Sequence, residues 1–223
     1  MSELALAIVE DKVPAHVAKG KGRGNEDVSA SVLTIPRVKQ LQKVSNECDK
    51  HHPAYIEGAA DGVFMNTLTE QLYGEELYCI NIKFKDEFVV WKKREAGGGL
   101  AGTFKTEAEA RDLVAAQKEP DQYDIRPTHT HLLLIKDPES GEVSSPVLMD
   151  FASSKLKPSK NWNSQINIKG GDRFAGLWKL TSVPVTVGNN TWMNLDIDFV
   201  GWTKEEDYKL AEEIFEQFEN TTL

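Results

Sequence analysis

Cysteine is scarce: only Cys48 and Cys79 occur in 223 residues, in no CxxC spacing. That excludes a disulfide framework or a cysteine zinc site as the organising device. Long apolar runs are missing as well. His131-Leu-Leu-Leu-Ile135 is typical and falls far short of the roughly 20 residues of a membrane helix, so no membrane span and no membrane partner are expected. The start, Met1-Ser-Glu-Leu-Ala-Leu-Ala-Ile-Val-Glu10, lacks the basic region of a secretory signal and meets Asp11 at once, which points to the cytoplasm. No serine sits in a G-x-S-x-G elbow and neither cysteine has a nearby partner that marks a nucleophile. No catalytic residue, metal site or cofactor is therefore assigned, and the protein is not read as an enzyme.

Positive charge is also short overall, 26 Lys and Arg against 35 Asp and Glu, for a net −9. Its distribution is more informative than its sum. Asp196 to Leu223 holds nine acidic residues and two lysines, a balance of −7, which leaves the rest of the chain at −2. Within that body Lys155–Lys179 is +5 and Lys83–Lys105 is +3. A basic face with an acidic end suits a protein whose own tail competes with a polyanion.

Three parts are expected: a flexible basic arm over 1–30 containing Lys19-Gly-Lys21-Gly-Arg23, a main domain over 31–202, and an acidic helix or tail over 203–223. Val32 onward is extended around Pro36. From Leu77 to Trp91, Tyr78, Ile80, Ile82 and Phe84 alternate with Cys79, Asn81, Lys83 and Lys85, which predicts a strand with one apolar and one basic face. Asp86-Glu87 breaks the period and suggests a bulge or bend. Thr106 with Glu109 forms a capping box ahead of a helix to Gln117, and the proline-containing stretch 118–128 reads as a loop. Strands follow at His129–Ile135 and Val143–Phe151 around a hairpin turn, then a short helix or two turns from Ser154 to Ile168. A second hairpin joins 177–187 to 192–202 around Gly188-Asn-Asn190. Thr203-Lys-Glu-Glu206 reads as another capping box, before Tyr208, Ala211, Phe215 and Phe218 at helical spacing. This pattern is mainly β with a few short helices and fits a small Greek-key β-barrel of the OB-fold kind, with a β-sandwich as the alternative.

Two segments put rings among cations. The first runs from Phe88 and Trp91 through Lys92, Lys93 and Arg94 to Phe104 and Lys105. The second contains Lys155, Lys157, Lys160, Trp162 and Arg173. Cations neutralise phosphates and flat rings stack unpaired bases of any identity, so both segments are candidates for binding single-stranded nucleic acid. The competing reading makes the tryptophans core residues and the lysines a solvated rim. His129 and His131 share one strand face, but no third ligand stands at a recognised spacing, so a strand or core pair is the better account. Asp137, Asp150, Asp196 and Asp198 are candidates for a two-metal nuclease site only if the fold collects them.

Leu33-Thr-Ile-Pro-Arg37, the Gly97-Gly-Gly-x-x-Gly102-Thr-Phe104 loop after a Trp-Lys strand, and Ser153-Ser-Lys-Leu-Lys-x-Ser-Lys-x-Trp-Asn163 followed by Arg173-Phe-Ala-x-x-Trp-Lys-Leu180 together resemble single-stranded DNA-binding proteins of tailed bacteriophages. The resemblance spans about residues 32 to 202. It implies an OB-fold core that coats single-stranded DNA in replication or recombination within the host bacterial cytoplasm, and an acidic C-terminus that contacts replication or recombination proteins. The aromatics at helical spacing in that C-terminus depart from a free tail and point to a docked helix or a homodimer contact. The alternatives are a protein–protein interaction or assembly protein, and a metal-dependent nuclease.

Overall fold

The computed structural model describes residues 34–219; the basic arm expected at 1–30 and the last four residues lie outside this range. The elements are β1 (Arg37–Gln40), β2 (Phe64–Asn66), β3 (Leu72–Gly74), β4 (Glu76–Lys92), β5 (Leu100–Phe104), α1 (Glu107–Ala115), β6 (Tyr123–Ile135), β7 (Val147–Ala152), α2 (Leu156–Lys169), β8 (Gly176–Val187), β9 (Asn190–Trp202) and α3 (Glu205–Phe218). The strands make one sheet in the order β3-β2-β1-β7-β6-β4-β8-β9, with β5 paired to β4. All pairs are antiparallel except β1 with β7. The sheet curls strongly into a half-barrel, so the fold is mainly β and OB-like.

Strand β4 is the spine. It pairs with β6 along nearly its whole length, with β8 through Glu76–Ile80 and with β5 through Phe88–Trp91. Its far half therefore projects past β8 as an arm made of β4, β5 and the start of β6. Pairing with β6 runs unbroken through Asp86-Glu87, where the sequence suggested a bulge or bend; the register shifts lie instead at Asn81/Lys83 and Val90/Trp91. Similarly, the expected loop at 118–128 is strand from Tyr123 onward, because β4 offers it a continuous edge even at Pro127 opposite Phe88. The Thr106–Glu109 capping box is present and starts α1. The one expected at Thr203 is not, since the Thr203 hydroxyl donates to the Ala175 carbonyl at 3.1 Å.

Both faces of the sheet are covered, which corrects the expected division of β4 into an apolar and a basic face. Leu77 and Cys79 point into a cluster with Val38, Phe64, Leu133, Met149, Phe151, Leu180 and Ile197, drawn from strands across the whole sheet. This is the interior of the curl, and α2 plugs it through Trp162. Ile80 and Ile82 point the other way, onto Leu132, Leu134, Leu148, Phe174 and Ala211, where α3 packs. Side chains rather than a ladder draw β1 against the far end of the curl. Gln40 Nε2 donates to Ser182 Oγ at 2.7 Å and to the Asn194 carbonyl at 2.9 Å. Gln42 exchanges a pair of bonds with the Met193 backbone at 3.0 and 2.8 Å. At Gly62 the backbone has φ 90, a left-handed conformation that favours glycine, and the Met193 methyl lies 2.7 Å from where a Cβ would stand.

Candidate nucleic-acid interface

The two basic segments have opposite fates. In the second, Trp162 is fully buried, stacked on His131 with centroids 4.8 Å apart at 19° and set edge-on to Trp178 at 6.0 Å. Neither ring face is free, so its expected role in stacking bases is corrected: Trp162 is core. The reason is local. In α2, Trp162 shares a helix face with Ser159 and Ile166, and that face plugs the half-barrel. Ser159 fastens the helix, its Oγ lying 2.7 Å from His129 Nδ1 and 2.8 Å from His131 Nε2. The two histidines do share a strand face, as expected, and their partners are a hydroxyl, Asn81, the Asp86 carboxylate 3.7 Å from His129, and aromatic rings.

The cations around Trp162 remain outside. Lys157 and Lys160 are exposed on α2. Lys155 is half-buried at the helix start, and burial pushes its ammonium down to about 8; among the described residues it has no ion pair. Arg173 donates to Asn163 Oδ1 at 2.9 Å and lies 5.3 Å from the Phe84 ring, its pKa lowered by burial.

The first segment builds a cleft at the tip of the β4–β5–β6 arm, lined by Trp91, Lys92, Lys93, Arg94, Glu95, Gly98, Gly99, Asp124 and Arg126. Three consecutive glycines, Gly97, Gly98 and Gly99, have φ of 105, 67 and 107. That left-handed run, open to few other residues, folds the Arg94–Ala96 turn back so that the Gly98 N–H reaches the Lys93 carbonyl and the Lys92 N–H reaches the Gly99 carbonyl, both at 2.9 Å. Trp91 is 41% exposed. Asp124 stands 3.8 Å from Lys93 and 3.3 Å from Arg126; Lys92 and Arg94 have no ion pair among the described residues. Arg126 was missed in the sequence because its stretch reads as a loop; only its pairing opposite Val89 brings it to the cleft. Phe88 and Phe104 pair across β4 and β5, half-buried, and the Phe104 ring lies over Gly102 beside Leu113 of α1. Lys105 is exposed just beyond.

The aspartates do not collect. Asp137 accepts from the backbone of its own turn, Asp150 pairs with Arg37, and Asp196 accepts from the Ile197 N–H. Among the described residues no group of three or more histidines, cysteines and carboxylates is placed to hold a metal.

A family model described as Pam3 phage gp34-like protein matches residues 6–223. The chain belongs to the Pam3 phage gp34-like family. That makes it a phage-related protein with a curled β fold. No curated protein and no solved structure matches it. No helix of the described residues is long and apolar enough to cross a membrane.

Proposed function

We propose that this protein binds single-stranded DNA without sequence preference, as a non-enzymatic coat for phage DNA in replication or recombination in the host cytoplasm. The observation that carries this reading is the arm-tip cleft, where a partly exposed Trp91 adjoins Lys92, Lys93, Arg94 and Arg126. A base stacked on an indole gains on the order of 1–3 kcal/mol whatever its identity. Cations beside it take the flanking phosphates, with release of counterions. Lys92 and Arg94, unpaired among the described residues, have their donors available for this. The net charge of −9 is no obstacle, because acidic residues concentrate on the outward side of α3, at Glu205, Glu206, Glu212, Glu213 and Glu216. That acidic side is the surface offered to replication or recombination proteins, or to a second copy in a homodimer.

The test is a tryptophan-fluorescence titration with oligo(dT) at low salt. The wild-type protein is expected to be quenched in a salt-sensitive way, and Trp91→Ala to bind about 5- to 150-fold more weakly with an unchanged circular dichroism spectrum. Absence of salt-sensitive binding by the wild-type protein overturns the reading, and leaves a protein-assembly role as the account of the exposed rings.

A further inference from the structure

Trp202 is 59% exposed and stands where a stacking ring is missing from the second basic segment. It closes β9, opposite Gly176, and its ring meets Phe199 edge-on with centroids 5.2 Å apart. Lys169, the last residue of α2, holds its Nζ 3.7 Å from the centre of the Phe199 ring. Together with Gly170, Arg173 and Gly176 these residues line a shallow cleft whose floor includes Trp178. Trp178 is almost wholly buried, and its Nε1–H has no hydrogen-bond partner among the described residues. A Cβ at Gly176 would come within 2.8 Å of that nitrogen, so glycine lets the indole edge pack against the β8 backbone. A flat ring flanked by an anion matches the exposed Trp202 ring beside the Lys169 ammonium better than an aliphatic occupant does.

The cleft is also the end of a basic helix. Helix α2 contains no acidic residue and exposes Lys157 and Lys160 at its start, with Lys169 at its end. A second groove runs between its first half and β9, lined by Lys157, Asn161, Gln165, Asn194 and Asp196. Two carboxylates stand among these cations: Asp196, which accepts from its neighbour's backbone N–H, and Asp172, which lines the ring cleft and accepts from the Tyr208 hydroxyl. Over 14 residues the helix is about 21 Å long at 1.5 Å per residue. At roughly 3.4 Å per phosphate that is about six nucleotides of stacked strand, within the roughly 4–16 that an OB fold covers.

We propose that the exposed side of α2, ending on Trp202 and Phe199, is a second track for single-stranded nucleic acid, in which Trp202 stacks a base and Lys157, Lys160, Lys169 and Arg173 take phosphates. This track rests on the single-strand-binding reading, yet it is separate from the arm-tip cleft. It assigns to Trp202 the stacking that the buried Trp162 cannot perform.

The full chain is titrated with fluorescein-labelled dT20 at low salt by anisotropy, as wild type, Trp91→Ala, Trp202→Ala, Trp202→Phe and Lys157→Ala/Lys160→Ala, with melting temperature measured on each. Trp202→Ala is expected to bind about tenfold more weakly at a nearly unchanged melting temperature, Trp202→Phe to recover most of that loss, and the double lysine variant to weaken binding and flatten its salt dependence. Wild-type affinity in Trp202→Ala alongside a loss in Trp91→Ala overturns the track and leaves the arm-tip reading standing. Failure of the wild-type protein to bind dT20 overturns both. A loss in Trp202→Ala that Trp202→Phe does not recover, with a lowered melting temperature, makes Trp202 a structural residue and likewise overturns the track.

Discussion

Ser159 and His131 are joined through a hydroxyl oxygen and an imidazole nitrogen 2.8 Å apart in the interior of the half-barrel, and the same hydroxyl reaches His129 at 2.7 Å. The direction of the chain follows from its ends. Asn81 Nδ2 donates to His131 Nδ1 at 2.9 Å, so Nε2–H of His131 donates to Ser159, which donates to His129 Nδ1. That leaves His129 Nε2–H facing Asp86 at 3.7 Å. Every link uses a neutral imidazole, and an added proton on His131 would set two donors against each other at Asn81.

The first prediction is a stability profile. Burial, then Arg173 and His129, hold the pKa of His131 well below its ordinary value, while burial and Lys160 lower that of His129 against the opposing pull of Asp86. Because the folded state binds these protons less readily than the unfolded state, the contribution is complete above the unfolded value of about 6.5 and is lost as pH falls below it. Melting temperature is expected to decline from pH 7 to pH 5, before most carboxylates titrate. A flat profile over that window would rule out a neutral pair.

The second prediction separates the two tryptophans that the sequence treated alike. Trp162→Ala removes a ring packed against His131, Phe151 and Trp178 and is expected to cost about 3–5 kcal/mol of stability. Trp91→Ala takes away a partly exposed ring at an arm tip and is expected to melt within a few degrees of wild type. Denaturant unfolding of both variants checks this; equal stabilities would mean that Trp162 has a free face in solution.

What separates those rings was not legible from composition. Trp91 and Trp162 each stand among lysines, and only the partner surface decides which one is covered: β4 ends in solvent, whereas α2 lays one face into the curl. Local patterns with a local cause were legible, as at Thr106–Glu109, the Gly188-Asn189 turn between β8 and β9, and the helical spacing of Tyr208, Ala211 and Phe215. Long-range pairing was not. It carries Tyr123–Thr128 into β6 despite Pro127, keeps β4 in register with β6 through Asp86-Glu87, and covers both faces of a strand whose lysines suggested a wet side. Trp202 was read only as a strand end, since nothing near it in sequence brings Lys169 to the Phe199 ring beside it.

The third prediction concerns salt and Asp124. Three or four phosphate contacts at Lys92, Lys93, Arg94 and Arg126 correspond to a slope of about −2 to −3 in log affinity against log salt, at about −0.7 per phosphate for single strands. Asp124 opposes this by holding Lys93 and Arg126. Asp124→Asn is therefore expected to bind oligo(dT) more tightly and to steepen the slope. Weaker binding by that variant would mean that Asp124 positions the two cations rather than competing with phosphate.

The last prediction decides what the acidic C-terminal segment does. Residues 204–223 were candidates for a tail that competes with DNA, and removing such a tail raises affinity. The helix is, however, docked. Ala211 is buried, and Ile214, Phe215 and Phe218 cover Ile80, Ile82, Leu132 and Leu134. Asp207 and Lys136, both largely buried, pair at 2.7 Å. Lys83 donates to the carbonyls of Phe218 and Glu219 at 2.6 and 3.0 Å and so caps the last turn. Deleting 204–223 exposes that apolar face and leaves Lys136 without its carboxylate, so a markedly lower melting temperature and poorer solubility are expected. Phe174 also loses its ring contacts with Tyr208 and Phe215, at 5.0 and 5.8 Å. The adjoining Arg173 then has a looser support, and binding along α2 is expected to weaken rather than tighten. Oligo(dT) affinity and melting temperature measured on the same truncated protein separate the two accounts: tighter binding with stability retained would mark a competing tail, and lost stability without tighter binding marks α3 as part of the fold.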